Sequence, residues 1–388
     1  MIQADLKSVE LIGQFLRFDT TSDQSNLPLI SFARDHLEKY GFTTETLYNA
    51  DGTKANLLAS IGPVDTPGIV LSGHTDTVPV DGQDWSVDPF ELTQTNGRLL
   101  GRGICDMKGF LAIALSFVPE LSRAKLKKPL YFALSYDEEV GCLGVHSLTE
   151  RLQALTATPM GCIVGEPSGM DVVTAHKGTT GFEITVSGLE AHTGVAHLGA
   201  NAVTAAAKIV AYISQIQERL KFTGPFNRDF LAPNYTVLEA TTISGGTAIN
   251  IVPASCSFEV DVRYLPGDDP RAYMQECKQF AQQNLLPKLR TIAPEAAIAW
   301  KEVPGCAAFS SDPHSDVVKL VQSCAQKNST HSVGWGTEAG HFQEAGIPTV
   351  VCGPGSIEQA HKPDEFITIE QARQCEQFMG RLISFLSY

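Results

Sequence analysis

The first part of the chain alternates short apolar segments with segments whose apolar residues recur at helical spacing. Helices are predicted from the N-terminus to about Leu16 and at residues 27–40 and 110–121. Residues 79–97, with several prolines and glycines, are predicted as a long loop. Alternation of strands and helices favours a parallel α/β sheet. The strands are predicted at residues 42–47, 55–60, 68–71, 129–135 and 161–164.

A different pattern begins near residue 180. Four segments alternate apolar and polar residues, as strands with one exposed face do, and two helices lie among them. Their order, strand–helix–strand–strand–helix–strand, is the ferredoxin-like pattern. The strands are predicted at residues 182–186, 236–243, 256–263 and 296–302, and the helices at 201–216 and 272–286.

Strand–helix alternation resumes after this segment. Helices are predicted at 314–326 and 368–386, with a strand at 347–352. Because the first pattern returns, we predict an inserted domain at residues 181–303. The two parts of the surrounding domain are then residues 1–180 and 304–388.

The composition is that of a soluble globular protein with an acidic balance. Hydrophobic residues make up 43% of the 388 residues and charged residues 19%, which argues against disorder. The formal net charge is −14. An acidic chain without a basic stripe argues against nucleic acid and anionic membranes as partners.

Neither a targeting segment nor a membrane span is expected. The first residues lack the basic region and apolar core of a signal peptide. No apolar run approaches the roughly 18 residues needed to cross a bilayer. The nine cysteines are scattered and form no Cys-x-x-Cys pair, so neither a disulfide framework nor a zinc ribbon is predicted. We therefore expect reduced thiols in a cytoplasmic protein.

Candidate chemistry lies where the predicted buried strands end. The segment SGHTDTV at residues 72–78 places His74 and Asp76 on one face of a strand end, because side chains alternate along a strand. In isolation, a turn histidine beside a loop-stabilising acid explains this pair better than a metal site does. Parallel α/β sheets bind ligands beyond the carboxyl ends of their strands, so further polar residues at such positions strengthen the metal interpretation.

Acidic residues occupy those further positions. Asp137, Glu138 and Glu139 follow one predicted strand, and Glu166 follows another. Carboxylates this close raise one another's pKa, and a divalent cation would remove the repulsion. Asp106 stands just before a predicted helix, where it is explained either as an N-cap or as a metal ligand.

Together these residues form a candidate two-metal site. Imidazole combined with carboxylate suits zinc, manganese or cobalt. One histidine and one terminal carboxylate for each ion, with a shared carboxylate between them, would hold two ions. The neighbouring Glu138 would then act as general base. The candidate ligands are His74, Asp106, Glu139, Glu166 and His361.

Four motifs resemble the M20 metallopeptidase/deacylase family, and the resemblance covers essentially the whole chain. It implies a phosphorylase/hydrolase-like catalytic domain, a mixed and mostly parallel sheet flanked by helices, with an inserted ferredoxin-like lid and dimerisation domain. It also implies a pair of zinc ions, with cobalt as an alternative, that hydrolyses amide bonds next to a carboxylate. The motifs are SGHTD at 72–76, GICDMKG at 103–109, DEEVG at 137–141 and GEP at 165–167.

The same resemblance implies a role for each site residue. His74 and Glu166 would bind one ion, Glu139 and His361 the other, and Asp106 would bridge them. Asp76 would orient His74, and Glu138 would pass a proton from the water to the leaving amine. A cis peptide bond is implied after Asp106.

Motifs of the inserted domain also resemble this family. EAHTG at 190–194 implies that His192 reaches the active site of the partner subunit in a homodimer and stabilises the oxyanion. From the residues alone, a surface histidine explains this segment better. Asn250 and Arg263 are implied to bind the substrate carboxylate, and an ion pair with Asp261 explains Arg263 equally well.

Three further motifs resemble the amino-acid deacetylases of the family: HKG at 176–178, GTEAGHF at 336–342 and GPGS at 353–356. They imply a small acetylated amino acid as substrate. Thr337 and Glu338 are predicted to contact it. We hypothesise that Glu338 pairs with an ammonium group of the substrate side chain, since an acid in this loop is otherwise unexplained.

Two alternatives keep the same metal ligands, a desuccinylase and a broader N-acyl-amino-acid deacylase. A succinyl substrate would require an additional positively charged group to bind its second carboxylate. A third alternative, a non-catalytic amino-acid binding protein, predicts that a ligand or Glu138 is missing, and none is missing.

Overall fold

The computed structural model describes residues 6–230 and 232–388, which divide into two compact units. The first unit runs to Ala175 and resumes at Phe309–Ser332 and Thr337–Tyr388. The second unit comprises His176–Ala308 and Val333–Gly336. Each unit has a hydrophobic core of its own, and the predicted insertion at residues 181–303 lies wholly within the second.

The strands are numbered in chain order. They are β1 Thr43–Tyr48, β2 Ala55–Ile61, β3 Ile69–His74, β4 Thr93–Thr95, β5 Arg98–Leu100, β6 Leu130–Ser135, β7 Gly161–Pro167, β8 Val172–His176, β9 Gly178–Ser187, β10 Ala191–His192, β11 Val237–Gly245, β12 Ile251–Val252, β13 Ser255–Tyr264, β14 Ala297–Val303, β15 Phe309–Ser310, β16 Thr330–Val333, β17 Thr349–Gly353 and β18 Phe366–Thr368.

The helices are numbered in the same way, and a 3-10 helix at Thr193–Leu198 lies apart from them. They are α1 Val9–Leu16, α2 Leu27–Lys39, α3 Lys108–Leu115, α4 Val118–Arg123, α5 Val145–Gln153, α6 Ala202–Thr223, α7 Pro270–Asn284, α8 Leu286–Ile292, α9 Asp316–Ala325, α10 Ala339–Glu344 and α11 Ile369–Ser387.

The first unit is built on a nine-stranded mixed sheet in the order β1-β2-β6-β3-β7-β17-β8-β15, with β16 paired to β8. Its central strands β6, β3, β7 and β17 run parallel and are buried along their length. Antiparallel strands extend the sheet on both sides. Burial on both faces explains why these central strands read as continuous apolar runs. The predicted α/β class with a mostly parallel centre is confirmed.

Helix α3 packs closely on this sheet next to the predicted site. All its residues are buried. A Cβ at Gly165 in β7 would lie only 2.0 Å from Cδ1 of Phe110, so glycine is required where the helix crosses the strand. This close approach holds the backbone just before Glu166 against α3.

The second unit contains a four-stranded antiparallel sheet in the order β11-β13-β9-β14. Residues of β9 alternate between buried and half-buried, and the buried ones pack with α6 and α7 in one core. The chain order β9-α6-β11-β13-α7-β14 with this strand order is ferredoxin-like, as predicted.

Several predicted boundaries are wrong for local reasons. The predicted helix at 110–121 is interrupted, because Pro119 lies in the first turn of α4 and cannot continue α3. The predicted loop at 79–97 contains strand β4, which forms a hairpin with β5. Asn96 and Gly97 both have positive φ there, as a two-residue hairpin turn requires. Residues 1–5 of the predicted N-terminal helix lie outside the described residues.

The cysteines and the helix lengths bear on the expectations about disulfides and membrane spans. All nine cysteines are buried, and none forms a disulfide. Within residues 6–230 and 232–388, no helix has both the length and the apolar character needed to span a bilayer.

Candidate metal centre

Three candidate ligands lie at one edge of the sheet of the first unit. His74 is the last residue of β3 and pairs in register with Ser135, the last residue of β6. Glu139 follows β6 closely, and Glu166 lies near the end of β7. Because these three strands are parallel neighbours, their carboxyl ends carry the side chains to one place.

A loop and a segment near the C-terminus add the other two ligands. Asp106 precedes α3, and its peptide bond to Met107 is cis. The helix N-cap is Met107, so the alternative that Asp106 caps this helix is wrong. His361 lies in the loop before β18 and has a left-handed φ of 64°.

The carboxylate of Asp106 lies between two imidazoles. Its Oδ1 is 2.9 Å from Nε2 of His74, and its Oδ2 is 3.2 Å from Nε2 of His361. Each imidazole meets a second carboxylate. Nε2 of His361 is 3.1 Å from Oε2 of Glu139, and Nε2 of His74 is 3.7 Å from Oε1 of Glu166. The five candidate ligands thus form two groups joined by Asp106.

This donor set fits a pair of divalent cations. Zinc binds imidazole nitrogen and carboxylate oxygen at about 2.0–2.2 Å, so two ligands of one tetrahedral ion lie roughly 3–3.6 Å apart. The two nitrogen–oxygen distances at His361 fall in that interval. At His74, the distance to Asp106 is slightly shorter than the interval and the distance to Glu166 is slightly longer. The chemistry of the donors, imidazole with carboxylate, is also that of zinc, manganese and cobalt sites.

The ionisable groups of the cluster shift one another's pKa values strongly. Burial, with the charge of Asp106 added, raises the pKa of Glu139 to about 7 and that of Glu166 well above its usual range. Burial opposes ionisation of Asp106 as well, but hydrogen bonds from His361 and His74 outweigh it and hold the pKa of Asp106 below its usual range. Hydrogen bonds to Asp106 and Glu139 raise the pKa of His361 to about 10. A dication among these groups would replace the shared protons as the compensating charge.

Asp76 is connected to both sides of the centre. Nδ1 of His74 donates to the main-chain carbonyl of Asp76 at 2.9 Å, which leaves Nε2 directed at the other ligands. The Asp76 carboxylate lies farther from that ring, 3.5 Å from Nδ1. Its two oxygens accept the N–H groups of Glu138 and Glu139 at 3.1 and 3.2 Å. Asp76 therefore orients His74 chiefly through its backbone and holds the two glutamates through its side chain.

The three consecutive acids after β6 have different surroundings. Asp137, at positive φ, forms an ion pair with Lys54. Glu139 faces His361. Glu138 is largely buried, and its Oε1 lies 3.6 Å from the thiol of Cys142. Carboxylate oxygens of Glu138 and Glu166 and a ring nitrogen of His74 all lie within 4.8 Å of one another. Glu138 thus lies next to His74 and Glu166 in the cluster.

Glu338, predicted to pair with a substrate ammonium, is bound instead by side chains of its own unit. Glu338 is fully buried, and its two oxygens accept hydrogen bonds from Ser72 at 2.5 Å and Ser135 at 2.7 Å. Thr337 is also fully buried, with its hydroxyl accepting the N–H of Ala339 at the start of α10. Neither side chain is exposed to a substrate here, because the loop packs against the ends of β3 and β6.

The predicted residues of the second unit are exposed. His192 accepts the N–H of Gly194 through Nδ1 at 3.0 Å. The main-chain carbonyl of Asn250 accepts the N–H of Thr193 at 3.0 Å. Arg263 forms the ion pair with Asp261 that was its alternative explanation, at 2.9 Å. Their contacts with substrate stay predictions.

Two residues that support the centre had no recognisable sequence signal. Ser22 donates to the Asp76 carboxylate at 2.8 Å, and its main-chain carbonyl accepts from Lys54. Both are common polar residues outside any motif, and only the folded chain brings them to the strand ends.

Comparison with known proteins gives consistent matches. Residues 70–384 match peptidase family M20/M25/M40. An acetylornithine deacetylase from Proteus mirabilis is 36% identical, covering 94% of this chain and 91% of that protein. One from Pasteurella multocida is 32% identical, covering 94% and 92%. Among solved structures, the M20 family metallo-carboxypeptidase Sso-CP2 from Sulfolobus solfataricus has a TM-score of 0.76 at 18% identity, covering 99% of both chains, which shows a shared fold.

Cation binding should tighten as the pH rises from about 6 to 8. Ligand groups must lose their protons to bind a cation, and the pKa values of His361 and Glu139 are about 10 and about 7. Each proton released strengthens binding up to about tenfold per pH unit. Calorimetric titration of chelator-stripped protein with zinc, in buffers of different ionisation enthalpy, measures affinity and proton release together. His361→Ala should lose part of the proton release, and an affinity independent of pH would contradict this expectation.

Proposed function

The chain belongs to peptidase family M20/M25/M40, and we propose that it removes the acetyl group from N2-acetyl-L-ornithine, giving L-ornithine and acetate in arginine biosynthesis. The observation that carries the hydrolase chemistry is the Asp106 carboxylate between the imidazoles of His74 and His361. The choice of substrate is supported by the two acetylornithine deacetylases that match 94% of this chain.

The chain's own residues suit a pair of zinc or cobalt ions. His74 and Glu166 would hold one ion and His361 and Glu139 the other, with Asp106 contributing to both. When bound, such a pair polarises a substrate carbonyl and lowers the pKa of water. The protein contributes the fixed spacing of the two imidazoles and a largely buried setting, which strengthens electrostatic interactions with the reacting groups.

Glu138 is the candidate general base. It accepts a proton from the attacking water as the water oxygen bonds to the acetyl carbonyl carbon. It then delivers that proton to the departing amine nitrogen as the amide C–N bond breaks. Support comes from its place beside His74 and Glu166 and from the Asp76 carboxylate, which holds its backbone N–H. The thiol of Cys142 lies 3.6 Å from Oε1 of Glu138.

The second unit supplies the proposed dimer contact and carboxylate contacts. Strand β11 is an edge strand of its sheet, and an unpaired edge is a template for pairing with another chain. Ile243 on this strand and Ile249 just after it are exposed apolar side chains. We assign oxyanion stabilisation to His192 of the partner subunit and substrate carboxylate binding to Asn250 and Arg263.

We also place the enzyme in the cytoplasm. Nine buried cysteines without a disulfide suit a compartment that keeps thiols reduced. The expected partners are a small acetylated amino acid and a second copy of the chain.

Initial rates on a panel of acylated amino acids test the substrate assignment. We expect kcat/KM to be highest for N2-acetyl-L-ornithine when the protein is loaded with zinc or cobalt. Glu138→Gln should lower turnover by about 10²–10⁴-fold while cation content is unchanged, because a neutral amide cannot accept the proton. The matched exposed change Glu344→Gln should leave the rate unaffected. A higher kcat/KM for N-succinyl-L,L-diaminopimelate would instead identify a desuccinylase.

Glu338→Gln should not alter the discrimination between acetylornithine and an uncharged substrate such as N-acetylmethionine. The Glu338 carboxylate is buried between Ser72 and Ser135, so its loss disturbs the ends of β3 and β6 for every substrate alike. We therefore expect kcat/KM to fall by a similar factor for both substrates, together with a lower thermal unfolding midpoint. A rise in KM confined to acetylornithine would restore direct pairing with the substrate ammonium.

A further inference from the structure

One buried carboxylate of the first unit contacts no imidazole of the centre, yet it binds the segment that carries Asp106. Glu365 is 1% exposed. Its Oε1 accepts the N–H groups of Cys105 at 2.8 Å and Asp106 at 3.1 Å. Its Oε2 accepts the N–H of Gly103 at 3.2 Å and Nη1 of Arg102 at 2.6 Å. The loop before α3 is therefore wrapped around this one side chain.

These four bonds use the whole capacity of the carboxylate. An ionised carboxyl group offers about four lone-pair positions. Each of the two oxygens of Glu365 accepts two hydrogen bonds. Water cannot replace a lost bond easily at a buried site, so each amide N–H depends on Glu365 for its partner. A change in the position of this carboxylate must move the backbone of Asp106.

The same group reaches His361 by a second route. Arg102, fully buried, also donates through Nη2 to Oε1 of Gln83. Nε2 of Gln83 donates in turn to the main-chain carbonyl of His361 at 3.0 Å. Asp106 and His361, distant in the chain, are thus joined behind the centre through Glu365, Arg102 and Gln83.

We propose that Glu365 is a positioning residue that holds Asp106 and His361 at the spacing a common cation requires, and so sets the affinity of the ion bound by His361 and Glu139. This inference rests on the proposed two-cation centre. Groups that orient metal ligands from behind typically contribute about 10–100-fold to metal affinity. A purely structural role, the neutralisation of buried Arg102, would instead affect folding and leave cation affinity unchanged.

Calorimetric titration of chelator-stripped wild type, Glu365→Gln and His361→Ala with zinc tests the proposal without measuring activity. His361→Ala identifies the binding event that uses His361. We expect Glu365→Gln to weaken that event by about 10–100-fold. The other event should weaken less, because of the groups that Glu365 positions it uses Asp106 but not His361. The matched control is Glu376→Gln, which changes a partly buried carboxylate that also accepts a backbone N–H, that of Ser8 at 2.9 Å. This control should bind both cations as wild type does.

The outcomes separate the role of Glu365 from the centre itself. Wild-type affinities in a folded Glu365→Gln would overturn the proposal. It would also be overturned if Glu365→Gln and the control Glu376→Gln weakened both binding events to the same extent. If Glu365→Gln does not fold, Glu365→Asp decides, because it keeps the charge beside Arg102 but withdraws the oxygens from the amides. Weakening of the His361 event in Glu365→Asp supports positioning, and unchanged affinity overturns it. A wild type that binds fewer than two cations would overturn the two-cation centre and this inference together.

Discussion

Repulsion among buried carboxylates is the constraint on which the arrangement of this protein depends. Three parallel strand ends, one loop and a segment near the C-terminus bring Asp106, Glu139 and Glu166 into the same small volume with two imidazoles. Without a cation, the cluster keeps protons, as the pKa of about 7 for Glu139 indicates. Burial of several carboxylates in one place is costly unless a positive charge compensates them, so we attribute the arrangement to cation binding.

The ligands are held in place mainly through their backbone. Asp76 accepts the N–H groups of Glu138 and Glu139, and Glu365 accepts those of Cys105 and Asp106. Carboxylates outside the ligand set therefore anchor the segments, and the ligand side chains remain directed at one another. Such anchoring lowers the reorganisation needed when a cation binds or when a transition state forms.

Much of the fold and most of the centre could be predicted from local sequence patterns. Apolar runs followed by His74, Glu139 and Glu166 indicated buried parallel strands with ligands at their ends, and the structure brings these residues together with Asp106 and His361. The missed hairpin had a sequence signal, the Asn96-Gly97 pair, and Pro119 marked the break between α3 and α4.

Other features depend on contacts between distant parts of the chain and could not be predicted. Glu338, in a glycine-rich loop, looked accessible to substrate, but tertiary packing buries it against Ser72 and Ser135. The link from Glu365 to Asp106 has the same origin. Asp364 and Glu365 are adjacent acids in the sequence, yet one binds exposed Ser86 and the other binds the buried loop of Asp106.

Anomalous X-ray diffraction would show directly whether the Asp106 carboxylate joins two cation sites. Crystals grown with zinc would be measured on both sides of the zinc absorption edge. We expect two anomalous peaks about 3.5–4 Å apart, one on each side of the Asp106 carboxylate. One should face His74 and Glu166, and the other His361 and Glu139. A single peak, or peaks that do not contact Asp106, would contradict this arrangement.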